Sequence, residues 1–479
     1  MNITASIRAN ASRTPDAPAY LTDDRPPLSF RDVEALIDAI ARRLLDANVR
    51  PGQRVGISLH RDLAFVVTAF ALARIGAVGF TSKSPDDPCD LRLVSKDGEA
   101  SRHAPTITAD RSWWQVPPPG AAGAPLALHP GGEALCHIFH TSGTTGRPKA
   151  LGLTHDEILR RADRRRAAFG MPEGTRMLSK VRPAASYGFQ SLMRVIADGG
   201  AIVDAPAIED LAAVITRHRV TFLVTPPGIL SAAIAMMRPD QGPFPSLQMV
   251  EVAGSRMSEQ LGELAARRVC PTIVAMYGST EAGLIALGDA KELRGRPGAV
   301  GHIVPGAVAE IVDDAGRPLP PDTEGTLRLR VEEGQDYLDG DATSSAFRDG
   351  WFYSGDLGRI TADRMLVIAG RADERINVGG GKITPEEIEQ AALQIPGVAD
   401  AAAFAVPSRV AEIERVAMAI VTGPEFDFAT FQQRCRDALG VYAPETVLQM
   451  KAIPRNENGK VDRRALKELA ASHVPPRAS

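Results

Sequence analysis

Apolar residues recur every three or four positions over residues 30–47, with charged side chains between them. This spacing predicts an amphipathic helix that buries one face. The short apolar runs 54–59 and 78–80 lie on either side of a longer apolar stretch, 63–75, and together they predict strand, helix and strand. Such alternation is typical of an α/β architecture with a mostly parallel sheet.

The same alternation continues through the middle of the chain. Predicted strands cover 201–203, 221–224, 248–252 and 272–275, and predicted helices cover 209–217, 228–237 and 258–267. Because each strand is followed by a helix, the connections are long enough to cross over a sheet and return in parallel.

The pattern changes near residue 297, where Gly and Pro turns begin to separate short alternating strands. This indicates a β-rich subdomain, followed by a small α+β unit. We therefore predict an α/β protein of two domains: a large N-terminal portion, 1–372, made of parallel α/β subdomains plus the β-rich one, and a small C-terminal α+β domain, 373–479.

Composition narrows the class of protein. The 479 residues include 55 Lys and Arg against 58 Asp and Glu, a formal charge of −3, which gives no electrostatic reason to expect a nucleic-acid partner. The most apolar stretch carries Arg74 and is read as a buried helix and strand rather than a membrane span.

The cysteine pattern and the N-terminal sequence indicate the cellular compartment in which we expect the protein. Four cysteines lie far apart without any C-x-x-C pair, so we expect neither a structural zinc site nor a disulfide scaffold. Residues 1–14 lack an apolar core, and we expect no secretory signal. A reducing, cytoplasmic location is the prediction.

The strongest local motif is T-S-G-T-T-G-R-P-K at residues 141–149. Its glycines allow backbone N–H groups to approach an anion, and its hydroxyls and Lys149 add further donors, which suits a polyphosphate. The spacing differs from a Walker A loop, because Lys149 does not directly follow Gly146 and Ala150 comes after it. A Ser/Thr/Gly-rich surface turn remains the alternative.

Four further motifs carry chemistry only in combination. Residues 276–281 (M-Y-G-S-T-E) follow an apolar strand, where Glu281 could hold Mg²⁺ and Tyr277 could stack on a base; a capped helix start is the alternative. Residues 353–356 offer Asp356 to vicinal hydroxyls. The segments 370–381 and 456–463 are rich in Gly and polar residues, and each taken alone is also typical of a turn.

The order and spacing of these five motifs resemble the adenylate-forming (ANL) superfamily, which includes acyl- and aryl-CoA synthetases, peptide-synthetase adenylation domains and beetle luciferases. The resemblance covers nearly the whole chain. It implies an ATP-dependent acid–thiol ligase, an AMP-forming acyl-CoA synthetase, that uses ATP, Mg²⁺ and a thiol acceptor and forms an acyl-adenylate with release of pyrophosphate.

The resemblance also implies a role for each matching residue. The β- and γ-phosphates would meet Thr141, Ser142, Gly143, Thr144, Thr145, Gly146 and Lys149, and the adenine would meet Ala253, Gly254, Ser255, Tyr277 and Gly278. The ribose would be held by Asp356 and Arg371, the metal by Glu281, and the AMP phosphate by Thr280. Asp373 would be the hinge, Lys460 the mobile catalytic lysine, and Gly379, Gly380 and Gly381 the thiol channel.

The acid and the acceptor are less tightly specified. Residues 183–189, with Ser186, Tyr187 and Gly188, resemble the acyl-pocket segment of acyl- and aryl-CoA ligases and contain no acidic residue, which favours an acid with an uncharged tail over an α-amino acid. Tyr187 either lines the pocket or belongs to the core. CoA is the predicted acceptor, and the phosphopantetheine of a separate carrier protein is the alternative, because only 19 residues follow Lys460.

Two other hypotheses remain. Five arginines within residues 156–168 could form a patch for CoA phosphates or an acidic carrier protein, or simply a solvated helix face. A non-catalytic nucleotide-binding protein would require loss of reactive positions. Lys149, Glu281, Asp356 and Lys460 are all present, which argues against it.

Overall fold

Several helices of the protein begin at a side chain that caps the helix N-terminus. In a computed structural model, the described residues are 1–59, 62–118, 123–141, 149–172, 174–205, 211–331, 335–338, 346–378, 381–407, 414–456 and 460–472. The helices are α1 (Ala5–Arg13), α2 (Phe30–Asp46), α3 (Asp62–Ile75), α4 (His155–Ala168), α5 (Ser186–Ala197), α6 (Leu211–His218), α7 (Pro227–Met236), α8 (Glu259–Arg268), α9 (Ala290–Leu293), α10 (Pro385–Leu393), α11 (Phe428–Leu439) and α12 (Arg463–Ser472). Helix α2 begins with a capping box between Ser29 and Asp32, and in α4 the Thr154 hydroxyl accepts a hydrogen bond from the Glu157 N–H at 3.1 Å.

The strands are distributed over the whole chain. They are β1 (Pro18–Leu21), β2 (Leu28–Ser29), β3 (Arg54–Ser58), β4 (Val78–Thr81), β5 (Leu91–Ser95), β6 (Thr106–Ala109), β7 (Leu135–Thr141), β8 (Lys149–Thr154), β9 (Arg176–Ser179), β10 (Ala201–Val203), β11 (Phe222–Thr225), β12 (Met249–Val252), β13 (Ile273–Ser279), β14 (Gly283–Asp289), β15 (Ala299–Ile303), β16 (Ala309–Val312), β17 (Gly325–Arg330), β18 (Phe347–Arg348), β19 (Trp351–Ile360), β20 (Met365–Arg371), β21 (Ile376–Val378), β22 (Gly381–Ile383), β23 (Val398–Pro407), β24 (Glu414–Thr422) and β25 (Thr446–Gln449). Short 3₁₀ turns occupy Arg111–Trp114, Ala372–Glu374 and Gly440–Tyr442.

The largest sheet changes from parallel to antiparallel pairing at β13. On one side of it, β12, β11, β9, β10 and β1 follow in parallel, as the strand–helix alternation predicts. On the other side, β14, β15, β20, β19, β17 and β16 are antiparallel. The predicted β-rich subdomain therefore continues the same sheet, and the two halves meet at the strand that carries Tyr277.

Both faces of the parallel half are buried. Leu223, Val250 and Val252 pack with α6, α7 and α8 in one core, whereas Phe222 and Val224 face a second core that includes Phe189 of α5. A separate sheet of β6, β5, β3, β4, β7 and β8 belongs to this second core. Because helices cover both faces of a parallel sheet, side chains on both faces of its strands are buried, and the strands appear in the sequence as continuous apolar runs.

The C-terminal segment forms its own layers. Strands β23, β24 and β25 make a small sheet with α10 and α11 on one face and α12 on the other. Its contacts with the rest of the chain include the Thr384 hydroxyl, which donates to the Ala369 carbonyl at 2.8 Å, and Gln260, whose side chain donates to the Leu393 carbonyl at 2.8 Å.

The predicted α/β fold class is confirmed. The predicted helices and strands recur with their ends shifted by a few residues; the helix predicted at 209–217 is seen as Leu211–His218, and its first two residues lie outside the described ranges. Across the part of the chain that the structure describes, no helix is both long and apolar enough to cross a membrane.

Candidate active site

The ends of the predicted phosphate loop are held in one β-hairpin. Thr141 closes β7 and pairs in register with Lys149, the first residue of β8. A Walker A loop joins a strand to a helix, whereas this segment joins two antiparallel strands, which agrees with the different spacing of its lysine. Ser142, Gly143, Thr144, Thr145 and Gly146 lie outside the described residues.

The motif around Tyr277 lies at the end of β13 and in the turn to β14. Strand β13 continues to Ser279 and pairs antiparallel with β14, so the alternative of a capped helix start here is wrong. A side chain on Gly278 would collide with the Gly283 carbonyl, which explains the glycine. Thr280 and Glu281 consequently lie in a tight turn beside the strand that divides the sheet.

Helix α4 fixes this turn through its arginines. The Arg161 guanidinium donates to the carbonyls of Thr280 at 2.6 Å and Glu281 at 2.7 Å, and Arg164 donates to the Ala282 carbonyl at 3.0 Å. Arg161 also pairs with Glu157 at 2.5 Å. These bonds set the backbone, and hence the direction, of the carboxylate that the motif assigns to a metal.

The arginines of α4 therefore divide into two groups: Arg161 and Arg165 are buried, whereas Arg160 and Arg166 remain exposed on the helix surface. Arg161 is 2% exposed and Arg165 is 3% exposed. Arg160 pairs with Glu157 at 3.2 Å and Arg166 with Asp198 at 2.5 Å, so the outer arginines also serve contacts within the chain. The sequence alone does not show which arginines of a helix are buried, because their partners come from other segments of the chain.

Tyr337 is a site residue that the sequence did not reveal. Its hydroxyl donates to the Glu281 carboxylate at 2.7 Å, and the Lys149 ammonium lies 4.9 Å from the centre of its ring. Gln335 donates to the Glu281 carbonyl at 2.6 Å, and a β-bridge joins Tyr337 to Leu151 of β8. The segment 335–338 thus connects the predicted metal ligand, 7% exposed, to the strand that begins with the loop lysine.

Replacing Tyr337 by phenylalanine should raise the Mg²⁺ concentration needed for half-maximal adenylation by about three- to tenfold, the effect of losing one hydrogen bond that orients the carboxylate. The measurement is a Mg²⁺ titration of acid-dependent ATP–pyrophosphate exchange, with Mn²⁺ binding followed by electron paramagnetic resonance. Tyr20→Phe is the matched control, because it removes a tyrosine–carboxylate bond to Asp204 far from the site. An unchanged metal requirement in Tyr337→Phe would reject the role.

The residues predicted to bind the nucleoside are in contact with one another. Asp356 of β19 lies opposite Arg371 of β20, with 3.5 Å between the guanidinium and the carboxylate, and the Tyr277 hydroxyl donates to the same carboxylate. Burial, followed by the nearby Asp356 charge, raises the pKa of Tyr277 well above its usual range, so the phenol stays protonated. Arg371 also pairs with Asp373 at 2.9 Å, which links the predicted ribose pair to the predicted hinge.

The segment predicted to contact adenine follows β12, next to β13. Ala253 is buried, and Gly254 has a φ of +94°, a conformation that favours glycine. The Ser255 hydroxyl is buried and has no hydrogen-bond partner within the described ranges. It is therefore a group with unused hydrogen-bonding capacity in the segment that follows β12.

The predicted acyl-pocket residues form the first turn of α5. A side chain on Gly188 would collide with the Arg182 carbonyl, and the Ser186 hydroxyl accepts from Gln190 at 2.7 Å. The Tyr187 hydroxyl donates to Glu251 of β12, and burial, with the Glu251 charge next, raises the pKa of Tyr187 well above its usual range. Glu251 was missed; its signal was a lone carboxylate within an apolar strand.

Lys460 lies apart from this cluster. Its backbone pairs with Asn456, and its side chain is exposed. Within the described residues, no hydrogen bond or ion pair joins the Lys460 ammonium to Thr280, Glu281 or Asp356. Gly381 opens β22, where a side chain would collide with the Tyr442 hydroxyl; Gly379 and Gly380 lie outside the described residues.

Metal sites of other kinds combine several His, Cys, Asp and Glu side chains as ligands. No group of three or more His, Cys, Asp or Glu side chains converges in the described ranges. The cysteines Cys89, Cys136, Cys270 and Cys435 are free thiols.

Comparison with known sequences decides the family. Residues 7–333 match the AMP-binding enzyme family, and residues 387–460 match the AMP-binding enzyme C-terminal domain. The chain belongs to the AMP-binding enzyme family. This confirms the predicted adenylate-forming superfamily and the class of AMP-forming acid–thiol ligases.

Individual AMP-binding enzymes resemble the chain over nearly its whole length. The 3-hydroxybenzoate–CoA/4-hydroxybenzoate–CoA ligase of Thauera aromatica is 28% identical over 97% of this chain and 89% of that protein. The probable nonribosomal peptide synthetase CymA of Salinispora arenicola is 27% identical over 95% of this chain, which spans only 6% of CymA. The crystal structure of the anthranilate CoA ligase AuaEII with anthranoyl-AMP shares the fold, with a TM-score of 0.86, 22% identity and 98% of both chains covered.

Proposed function

We propose that this AMP-binding enzyme joins a carboxylic acid to ATP as an acyl-adenylate, releases pyrophosphate and transfers the acyl group to the thiol of CoA. The observation that carries the proposal is the convergence on β13 of groups suited to each part of ATP. We assign Thr141 and Lys149, which pair in one hairpin, to the phosphates, Glu281 to the metal, and the neighbouring Asp356 and Arg371 to the nucleoside.

The chemistry explains why these groups are needed. A free carboxylate is a poor acyl donor because its leaving group would be oxide, whereas an acyl-adenylate has AMP as its leaving group. Forming it brings one anion to the α-phosphorus of another, so positive charge must be available where negative charge accumulates. We assign this task to Lys460 and to a metal at Glu281, and we assign Thr280 to the AMP phosphate.

Glu281 fits a magnesium ion. Its carboxylate is an oxygen ligand of the kind Mg²⁺ prefers, the Tyr337 hydroxyl orients it, and Arg161 fixes its backbone. When bound, the ion would neutralise phosphate charge. Glu281 would hold the ion through its carboxylate, and the hydrogen bond from Tyr337 would keep that carboxylate in place.

The division at residues 372/373 and the movement of the C-terminal domain belong to the same proposal. Lys460 is exposed and makes no hydrogen bond or ion pair with Glu281 within the described residues, so we assign its approach for adenylation to a rotation about Asp373. A second arrangement would bring the segment 379–381 to the site as a thiol channel. The Arg371–Asp373 pair supports this hinge, because it joins the nucleoside side directly to the start of the mobile domain.

For the acceptor, we favour CoA over a carrier-protein phosphopantetheine. Relatives named as CoA ligases, including those of Thauera aromatica and Aromatoleum sp., support CoA, and peptide synthetases such as CymA support the alternative. A cytoplasmic location remains the prediction.

Acid-dependent ATP–pyrophosphate exchange with a panel of fatty, aryl and β-amino acids tests the proposal. We expect exchange with at least one uncharged-tail acid and thioester formation with free CoA. Absence of exchange with every acid would reject adenylation. Rapid acylation of a holo carrier protein, without formation of a CoA thioester, would identify the carrier protein rather than CoA as the acceptor.

A further inference from the structure

A buried polar cluster lies on the α4 and α5 side of β12. Glu251 is 0% exposed, and it stands between Val250 and Val252, which pack into the opposite core beneath α6, α7 and α8. Because side chains alternate along a strand, Glu251 projects toward α4 and α5. There it meets Arg165 and Tyr187.

The two oxygens of the Glu251 carboxylate have different surroundings. Oε1 accepts from the Arg165 guanidinium at 2.7 Å and from the Tyr187 hydroxyl, and the guanidinium lies 5.0 Å from the centre of the Tyr187 ring. Oε2 is buried and has no hydrogen-bond partner in the described part of the chain. Arg165 balances the charge of Glu251, so the cluster offers one unused acceptor without an unpaired negative charge.

This cluster lies beside the candidate active site. Glu251 pairs in register with Val274 of β13, so Val274 and Met276 share its face of the sheet. Both residues are only half-buried although β13 is an interior strand, and so is Tyr187, so the side chains next to Glu251 are not fully packed. The contacts of helix α4 indicate how close the two groups of residues are. Arg161 binds the Thr280 and Glu281 carbonyls, and Arg165, about 6 Å further along the helix, binds Glu251.

We propose that Glu251 Oε2 accepts a hydrogen bond from a neutral donor, a hydroxyl or amino group, at the far end of the acid. The substrate is therefore a short carboxylic acid with such a substituent. The inference rests on the proposed function and names its substrate class. Arg165 holds the carboxylate, and Tyr187 positions it while its own hydroxyl is occupied. A long alkyl chain would have to displace the buried Glu251–Arg165 pair.

Matched acids test this directly on the full chain. ATP–pyrophosphate exchange is compared for benzoate, its three hydroxy and three amino isomers and the corresponding methoxy isomers, and for butanoate against 4-hydroxybutanoate. We expect one donor-bearing acid to exceed both its unsubstituted and its methoxy counterpart in kcat/KM by about 30-fold or more, since a site built to bond a donor rejects analogues that lack it. Equal rates within every pair would overturn the inference, whereas no exchange with any acid would instead reject the proposed function.

Variants then assign the preference to Glu251. Glu251→Gln should lower the ratio of kcat/KM for the donor-bearing acid to kcat/KM for the unsubstituted acid at least tenfold, mainly through KM for the donor-bearing acid. If that variant fails to fold, the double variant Glu251→Leu/Arg165→Met removes both charges together, and it should favour the unsubstituted acid. Glu263→Gln, at a surface pair with Arg294, is the control. If a folded variant keeps the wild-type preference for the donor-bearing acid, a residue other than Glu251 recognises the donor group.

Discussion

Replacing Lys460 by alanine should reduce acyl-adenylate formation by about a thousandfold or more, because the ammonium is the mobile cation assigned to the carboxylate and α-phosphate oxygens. Transfer from a synthetic acyl-adenylate to CoA should stay within about threefold of the wild-type rate, since that step needs no charge at this position. ATP–pyrophosphate exchange measures the first step, and single-turnover thioester formation measures the second.

The matched control is Lys467→Ala, which removes an exposed lysine from α12 of the same domain. It should leave both steps unchanged. Equal loss of both steps in Lys460→Ala would contradict the assignment, because it would indicate damage to the domain rather than loss of a group specific to adenylation.

Replacing Glu281 by glutamine should lower the adenylation rate by about a hundred- to a thousandfold, because the site loses the negative charge of its assigned metal ligand. The amide oxygen can still accept the Tyr337 hydrogen bond, so the unfolding temperature should change by less than about 3 °C. Mg²⁺ titration of exchange and calorimetric binding of Mg·ATP measure the effect.

Glu259→Gln provides the control, since Glu259 starts α8 at the surface and lies 4.0 Å from Arg294. It should leave the metal requirement unchanged. Wild-type exchange and unaltered Mg·ATP affinity in Glu281→Gln would assign the metal to a different residue and remove the main support for the role of Tyr337.

The sequence predicts most of the fold where periodicity is decisive. The helix predicted at 30–47 is Phe30–Asp46, and the alternating strands and helices from 201 to 275 form the parallel half of the main sheet. The hairpin between β13 and β14 was not predicted, because an apolar run does not reveal which neighbour will pair with it. For the same reason, the sequence does not show that the β-rich strands and the parallel strands belong to one sheet.

For the candidate site, motifs locate residues that act through short segments, such as Tyr277 with Glu281 or Gly355 with Asp356. They do not locate partners supplied from elsewhere. Tyr337 reaches Glu281 across 56 residues, and Arg165 reaches Glu251 across 86. Such contacts arise only when the sheet and α4 are assembled, so a single sequence gives neither the orientation of the metal carboxylate nor the partners of Glu251.

The most direct test of acyl-adenylate chemistry uses the best acid of the panel with ¹⁸O in both carboxylate oxygens. Attack on the α-phosphorus breaks its bond to the bridging oxygen of pyrophosphate and forms a new bond to a carboxylate oxygen. Transfer to CoA then breaks the acyl–oxygen bond, and the label remains on AMP. We predict one ¹⁸O in AMP, one in the thioester and none in pyrophosphate by mass spectrometry. Unlabelled AMP, or label in inorganic phosphate together with ADP, would contradict the account.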